Sequence, residues 1–392
     1  MSTLASPDLL ERVRERLAVA DGVLTPAAVA AAIRTESGGV LGDVDLLAAL
    51  RTLQTELTGA GPLEALLAAP GVADVLVTAP DEVWIDRGAG LERTTVSFPD
   101  EASVRRLAQR LALSAGRRLD DAQPWVDGRL DGIGHGDYGI RLHAVLAPVA
   151  QGGTCVSLRV LRPATHSLDD LAARGAVSPD AHRLLDEIVR ARLAFLVTGG
   201  TGAGKTTVLA AMLGRVDPAE RIVCVEDAAE LAPSHPHVVR LVARAPNVEG
   251  VGEVTVRDLV RQSLRMRPDR IVVGEVRGAE VVDLLTALNT GHDGGAGTVH
   301  ANSPGEVPAR LEALAALGGM DRAALHSQLA AAVQAVLHVR RDASGMRSLA
   351  EIGVLERDPS GAVCVAAAWT RDGGPGPGAG TLRALLDSRR LR

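Results

Sequence analysis

Gly199, Gly200, Gly202 and Gly204 fall within the nine residues GGTGAGKTT (Gly199–Thr207), beside Lys205, the only lysine among 42 lysine and arginine residues. The spacing Gly199-x-x-x-x-Gly204-Lys205-Thr206 is that of a loop whose backbone N–H groups converge on phosphate oxygens. Glycine lets the chain fold back on itself, and a helix beginning at the loop adds the positive end of its dipole. Gly199, Gly200, Thr201, Gly202, Ala203, Gly204, Lys205, Thr206 and Thr207 are therefore expected to hold the phosphates of ATP. Thr206 would place its hydroxyl on Mg²⁺, and Lys205 would reach the β and γ oxygens. A compact ammonium fits between loop and phosphates where the wide guanidinium fork does not, which accounts for one lysine in a chain that otherwise uses arginine.

Carboxylates follow at the ends of apolar runs. RIVCVED ends on Glu226 and Asp227, with Glu230 in the same loop. A carboxylate there either orients or deprotonates an attacking water, or caps the next segment. RPDRIVVGEVRG has the apolar run of a Walker B strand, but Gly274 stands where many P-loop enzymes carry aspartate and Glu275 comes next. The longer side chain of Glu275 would reach Mg²⁺ through water, and the roles of Glu226 and Glu275 are interchangeable at this level. His292 and His300 bracket GHDGGAGTVH and are read as sensing the γ-phosphate or holding the loop by hydrogen bonds, since no third ligand stands at metal spacing. His235 and His237, between prolines, read as structural. Arg129, Arg141 and Arg159 are either solvated surface arginines or a source of positive charge for a transition state in a neighbouring subunit.

These groups need a scaffold with strand ends on one edge. LAFLVTG is a continuous apolar run of the kind a buried parallel strand shows, and KTTVLAAMLGRV reads as a helix. RIVCVED, HVVRLVA, RIVVGEV and AGTVHAN supply further strands, TVRDLVRQSLRM, AEVVDLLTALNTG and GEVPARLEALAAL the helices, and AVLHVRR, SLAEIGVLERD and AVCVAAAWT edge strands. The expected class is α/β. Ahead of this lies a smaller α/β domain over 59–162, with strands VADVLVTAP, DEVWIDRG, GIRLHAVLAPVA and TCVSLRVLR and one long helix EASVRRLAQRLALSAG. Residues 1–58 alternate apolar and charged positions at helical spacing and are read as a helical extension. PATHSLDDLAARGAVSP, with a proline at each end, reads as a linker over 163–179, leaving 180–370 for the second domain. The Gly/Pro run of RDGGPGPGAGTLRALLDSRRLR reads as a flexible tail over 371–392.

Composition narrows the function. A net charge of −6 and 2% aromatic residues argue against a broad nucleic-acid surface with stacking side chains. Charges interrupt the N-terminal apolar residues, and no window approaches a membrane span, so the expectation is a cytoplasmic protein that meets the inner face of the cell membrane only through partners. Three well-separated cysteines indicate neither a disulfide framework nor a zinc site.

The P-loop GGTGAGKTT, the acidic box IVCVEDAAEL, the segment LRMRPDRIVVGEVRG and the histidine box TGHDGGAGTVHANSP occur in that order, and GPLEALLAAPGVADVLVTAP precedes them. Over about residues 59–357 the chain resembles the type II/type IV secretion ATPases, most closely the CpaF/TadA-type motors of tight-adherence (Flp) pili. The resemblance implies a RecA-like P-loop NTPase domain behind a smaller, PAS-like α/β domain, with ATP between the two. It also implies a homohexamer whose ATP hydrolysis acts on inner-membrane platform proteins. By that resemblance Glu226 is the acidic-box carboxylate, Glu275 the Walker B glutamate and His300 the histidine-box residue. Arg129 and Arg141 fall in the arginine-bearing strands of the first domain, Arg141 foremost, and Arg159 is assigned to the nucleotide. The tetracysteine zinc element of related extension ATPases is missing. A RecA-like nucleic-acid translocase and an ATP-dependent regulatory switch are the alternative functions for the same core.

Overall fold

The computed structural model describes residues 26–38 and 59–390, apart from 89, 134–138, 163 and 248, together with positions 9, 12, 13, 16 and 42. Most of the helical extension expected over 1–58 lies outside the described residues; within it α1 spans Pro26–Glu36. The chain divides into two compact units, Met1–Arg162 and Pro163–Arg392.

In the first unit, α2 (Glu64–Ala68) leads to β1 (Asp74–Ala79), β2 (Glu82–Asp86) and β3 (Leu91–Arg93). Next come α3 (Glu101–Ser114), β4 (Trp125–Leu130), β5 (Ile140–Val145) and β6 (Cys155–Val160). The strands form one six-stranded sheet in the order β3-β2-β1-β6-β5-β4, every pair antiparallel. Strict alternation sets its two faces: Val75, Val77, Val126, Leu142, Val156 and Leu158 are buried with Val104, Leu107 and Leu111 of α3. Asp100 caps α3 by accepting the N–H of Ser103 at 2.8 Å. The opposite face carries polar residues, including the arginines considered below.

The second unit begins with α4 (Leu168–Ala173) and α5 (Pro179–Arg190), followed by β7 (Phe195–Thr198), α6 (Lys205–Leu213), β8 (Ile222–Glu226), β9 (Val238–Val242) and α7 (Val256–Ser263). It continues with β10 (Arg270–Val276), α8 (Glu280–Asn289), β11 (Ala296–Val299), α9 (Val307–Leu317) and α10 (Arg322–Ala332). It ends with β12 (Ala335–Arg341), β13 (Arg347–Arg357), β14 (Val363–Thr370), the short β15 (Gly374–Pro375) and α11 (Ala379–Arg390). A nine-stranded sheet runs β15-β14-β13-β12-β7-β11-β10-β8-β9. From β12 to β9 every pair is parallel, and β13, β14 and β15 extend it antiparallel. Residues of β7, β8 and β11 are buried throughout, as strands covered on both faces must be.

Two expectations fail at the ends of this unit. Residues 163–179 are not a linker: Ala164 bridges to Leu231, Ser167 and Asp170 form a capping box on α4, and Leu168, Leu171 and Val177 enter the core. Nor are residues 371–392 a flexible tail. Gly374 and Pro375 pair with Thr370 and Trp369, and the N–H groups of Gly376 and Gly378 donate to Ala368 and Ala367 at 3.0 and 2.8 Å. A Cβ on Gly376 would stand 2.4 Å from the Ala367 carbonyl oxygen, so these glycines serve close backbone approach rather than freedom. α11 then buries Leu382 and Leu386, 3% and 1% exposed. Leu386→Ala is expected to cost about 2–5 kcal/mol in denaturant unfolding. A solvated tail would show a change below about 0.5 kcal/mol.

Candidate functional site

Parallel strands present their C-terminal ends on one edge, and register fixes who meets whom there. Thr198 of β7 pairs with Val299 of β11, which pairs with Val276 of β10. Gly199, His300 and the end of β10 thus converge. Gly199 has φ 149°, and a Cβ on it would stand 2.2 Å from the carbonyl oxygen of Val339 in β12, so only glycine can leave β7 at this point. Gly204, at φ 99°, is the N-cap of α6, whose first residue is Lys205.

Lys205 is 8% exposed. Its Nζ donates to the carbonyls of Gly199 and Gly200 at 3.1 and 3.0 Å and lies 3.3 Å from both ring nitrogens of His300. Burial holds its pKa below the usual lysine value, against the pull of Glu275. His300 Nε2 is 2.5 Å from Glu275 Oε1, in contact without the alignment of a hydrogen bond. Burial first, and the Lys205 charge second, hold the pKa of His300 below its ordinary value, against the pull of Glu275. The other Glu275 oxygen contacts Arg277, which reaches Asp227 at 3.8 Å. Lys205, His300, Glu275, Arg277 and Asp227 therefore form one chain of polar contacts along the strand ends. Arg277 escaped the sequence reading, although its place two residues after Glu275 was a signal that it shares that strand end.

The departure at Gly274 has a structural cause. Between Val273 and Val276, β10 carries one residue more than its partner β11, a bulge, and Thr298 Oγ1 donates to the Gly274 carbonyl at 2.7 Å beside it. Bulges re-aim side chains. A Cβ on Gly274 would stand 2.7 Å from Glu226 Cγ, so the Glu226 side chain occupies the space an aspartate at 274 would take. Glu226, 3% exposed, accepts the N–H groups of Glu230 and Leu231 on Oε1 at 3.0 and 2.8 Å. Oε2 is buried without a partner. Burial pushes its pKa up to about 7, partly offset by the two backbone donors.

His292 and His300 do not share an edge. β11 runs from Ala296 to Val299, so His300 follows its C-terminal end and His292 precedes its N-terminal end, where Nδ1 bonds the Ala287 carbonyl at 3.0 Å. Of the two readings given to His292, the structure has the loop-holding one. His235 contacts the Asp217 carbonyl at 3.0 Å and His237 contacts Arg221 at 2.6 Å, both in loops.

Arg129, Arg141 and Arg159 belong to the first unit, where the sheet brings them together. Arg129 pairs with Arg141, Arg141 with Arg159, and Arg159 with Asp74, in one cross-strand row on the face opposite α3. Like charges directly opposed in a sheet repel. Each is matched by a carboxylate: Arg141 takes Asp127 through two hydrogen bonds of 3.2 and 2.7 Å, Arg159 takes Asp74 at 2.7 Å, and Arg129 takes Asp131 at 3.0 Å.

Thr206 and Thr207 are half-buried at the start of α6. Among the described residues no group of three His, Cys, Asp or Glu side chains could hold a metal ion. The hydroxyl of Thr206 and the carboxylate of Glu275 are hard oxygen donors, as Mg²⁺ requires when phosphates and water complete its shell. No helix among the described residues is long and apolar enough to cross a membrane.

A family model described as type II/IV secretion system protein matches residues 56–364. A putative conjugal transfer protein of Mycobacterium tuberculosis is 72% identical over 350 residues, 89% of this chain and 99% of the relative. The type IV secretion system protein PtlH of Bordetella pertussis is 30% identical over 335 residues, 78% of this chain and 92% of the relative. Two solved structures share the fold. The ATPase DotB of Legionella pneumophila has a TM-score of 0.53 at 18% identity, covering 87% of this chain and 86% of its own. The pilus retraction motor PilT with bound ADP has a TM-score of 0.50 at 20% identity, covering 81% and 83%. The second unit is accordingly a RecA-like P-loop domain, and the chain belongs to the type II/IV secretion system protein family.

Proposed function

We propose that the chain is an ATP-hydrolysing motor that works as a homohexamer on inner-membrane platform proteins, in the assembly of a tight-adherence pilus of the CpaF/TadA type or in type II/IV secretion. The observation that carries the reading is the contact of Lys205 with both the P-loop carbonyls and His300, itself against Glu275. A γ-phosphate arriving at the loop takes Lys205 from the Gly199 and Gly200 carbonyls and thereby alters the contacts of His300. His300 and Glu275 relay that change along the chain to Arg277 and Asp227. Mg²⁺, held by Thr206 and through water by Glu275, would neutralise charge developing on the β and γ oxygens. Glu226, with Oε2 unpartnered and a pKa near neutrality, serves as the base that orients and deprotonates the attacking water. The protein then lies in the cytoplasm, at the inner face of the membrane through its partners.

Arg141, Arg129 and Arg159 supply positive charge to ATP, Arg141 across a subunit boundary. ATPase activity per chain is expected to climb with protein concentration as rings assemble, and Arg141→Ala to lower activity of the assembled protein by about 10³-fold while leaving nucleotide affinity of dilute protein in place. Activity independent of concentration would overturn the shared site.

A second reading, a nucleic-acid translocase, is favoured by the conjugal-transfer name of the 72%-identical relative. Hydrolysis stimulated by DNA and weakened steeply by salt would select it. An ATP-dependent regulatory switch is the third, and turnover near zero in the assembled protein with membrane partners present would select that.

A further inference from the structure

The hairpin of β12 and β13 turns over the P-loop, and its tip is held by its own side chain. Asp342 Oδ1 accepts the N–H groups of Ser344 and Met346 at 2.9 and 3.0 Å. Arg347, the first residue of β13, donates Nε to the Gly202 carbonyl at 2.8 Å, and its Cδ lies 3.6 Å from the place a Cβ on Gly204 would occupy. Its two terminal nitrogens bond to no described residue. Arg347 lines a cavity of about 300 Å³ whose floor is the start of α6, Gly204 and Thr207. Arg174 and His166 line the same cavity, and no carboxylate does. Two guanidinium groups at a cavity with no carboxylate in its lining, against the first turn of a helix, form a field for an anion, offset on the Arg174 side by Asp170, which feels the charges of Arg174 and His166.

We propose that Arg347 is a nucleotide-binding residue of its own subunit: Nε holds the loop at Gly202 while the terminal nitrogens take the phosphate that adjoins the nucleoside, on the Thr207 side of the P-loop. The proposal rests on the ATP reading and adds to it a group from the same chain, 145 residues beyond the loop it touches. Arginine suits both tasks at once because its planar fork presents donors in two directions.

The test is equilibrium binding of the full chain in EDTA, so that neither Mg²⁺ nor turnover enters, read by anisotropy of N-methylanthraniloyl-ADP with ADP, AMP and adenosine as competitors. Arg347→Gln is expected to weaken ADP and AMP by about tenfold or more, as loss of hydrogen bonds to a charged group does, and to leave adenosine unchanged. Arg347→Lys keeps the charge but cannot hold Gly202 and a phosphate at once, and its ADP affinity is expected to fall between those of the parent and the glutamine variant. Equal losses in the glutamine and lysine variants would assign Arg347 to the Gly202 bond alone and overturn the proposal. So would ADP affinities in Arg347→Gln within about twofold of the parent while Lys205→Ala fails to bind. A parent protein that binds no ADP would sink the ATP reading itself, and the proposal with it, a result distinct from both.

Discussion

Lys205→Ala is expected to lower ATP turnover by about 10²–10³-fold, the scale on which removal of one preorganised charge from a transition state acts. The same change is expected to leave the melting temperature within about 2–4 °C of the parent. The reason for that second half is the burial of the ammonium. At 8% exposure it gives up hydration, and burial outweighs Glu275 in holding its pKa down. Its folded pKa lies below the unfolded value, so below both values the charge costs the folded state stability rather than adding to it. Removing it therefore relieves a cost while losing two hydrogen bonds to Gly199 and Gly200. Circular-dichroism melting and a coupled ATPase assay on one preparation check both halves. A large drop in melting temperature would make Lys205 a structural residue, and turnover left intact would end the motor reading.

The scaffold behind this site was legible because its signals are local. LAFLVTG, RIVCVED, RIVVGEV and AGTVHAN became β7, β8, β10 and β11, and the glycines that permit the turn after β7 are spelled in the P-loop itself. The direction of β11 was legible too: with strand ends lining the crevice, a histidine after the strand and one before it cannot share a site, which separates His300 from His292. What the sequence hid depends on register. Three arginines in one row across β4, β5 and β6 follow from pairings no single segment displays, and the bulge in β10 follows from a count against β11. Arg347 reaches Gly202 only because β12 lies beside β7 and the hairpin folds back over the loop. The C-terminal segment misled for a related reason. Composition equates Gly/Pro runs with freedom, whereas here glycine marks where the backbone passes too close to β14 for any side chain, a fact set by the neighbour and invisible in the run.

Glu226→Gln is expected to separate stability from chemistry. With a folded pKa of about 7 against 4.5 for an ordinary glutamate, the folded protein holds a proton that the unfolded chain releases. Between about pH 4.5 and 7 the unfolded state therefore binds fewer protons, and stability falls as pH rises through that window and levels off above it. Glutamine cannot ionise, so it removes this slope. Its amide can still accept from Glu230 and Leu231, and any cost of burying its NH₂ is the same at every pH. The stability of the variant relative to the parent should thus improve by about 2 kcal/mol between pH 5 and pH 8, read by denaturant unfolding at both values. On the chemical side, a base with this pKa makes the parent's turnover rise with pH through about 7, and the variant should lose about 10²-fold or more together with that pH dependence. The two readouts fail independently. Equal relative stability at both pH values would show that Glu226 is ionised normally in the fold. The expected stability change without loss of turnover would leave Glu226 as the buried cap of the 227–231 loop and pass the base role to Glu275.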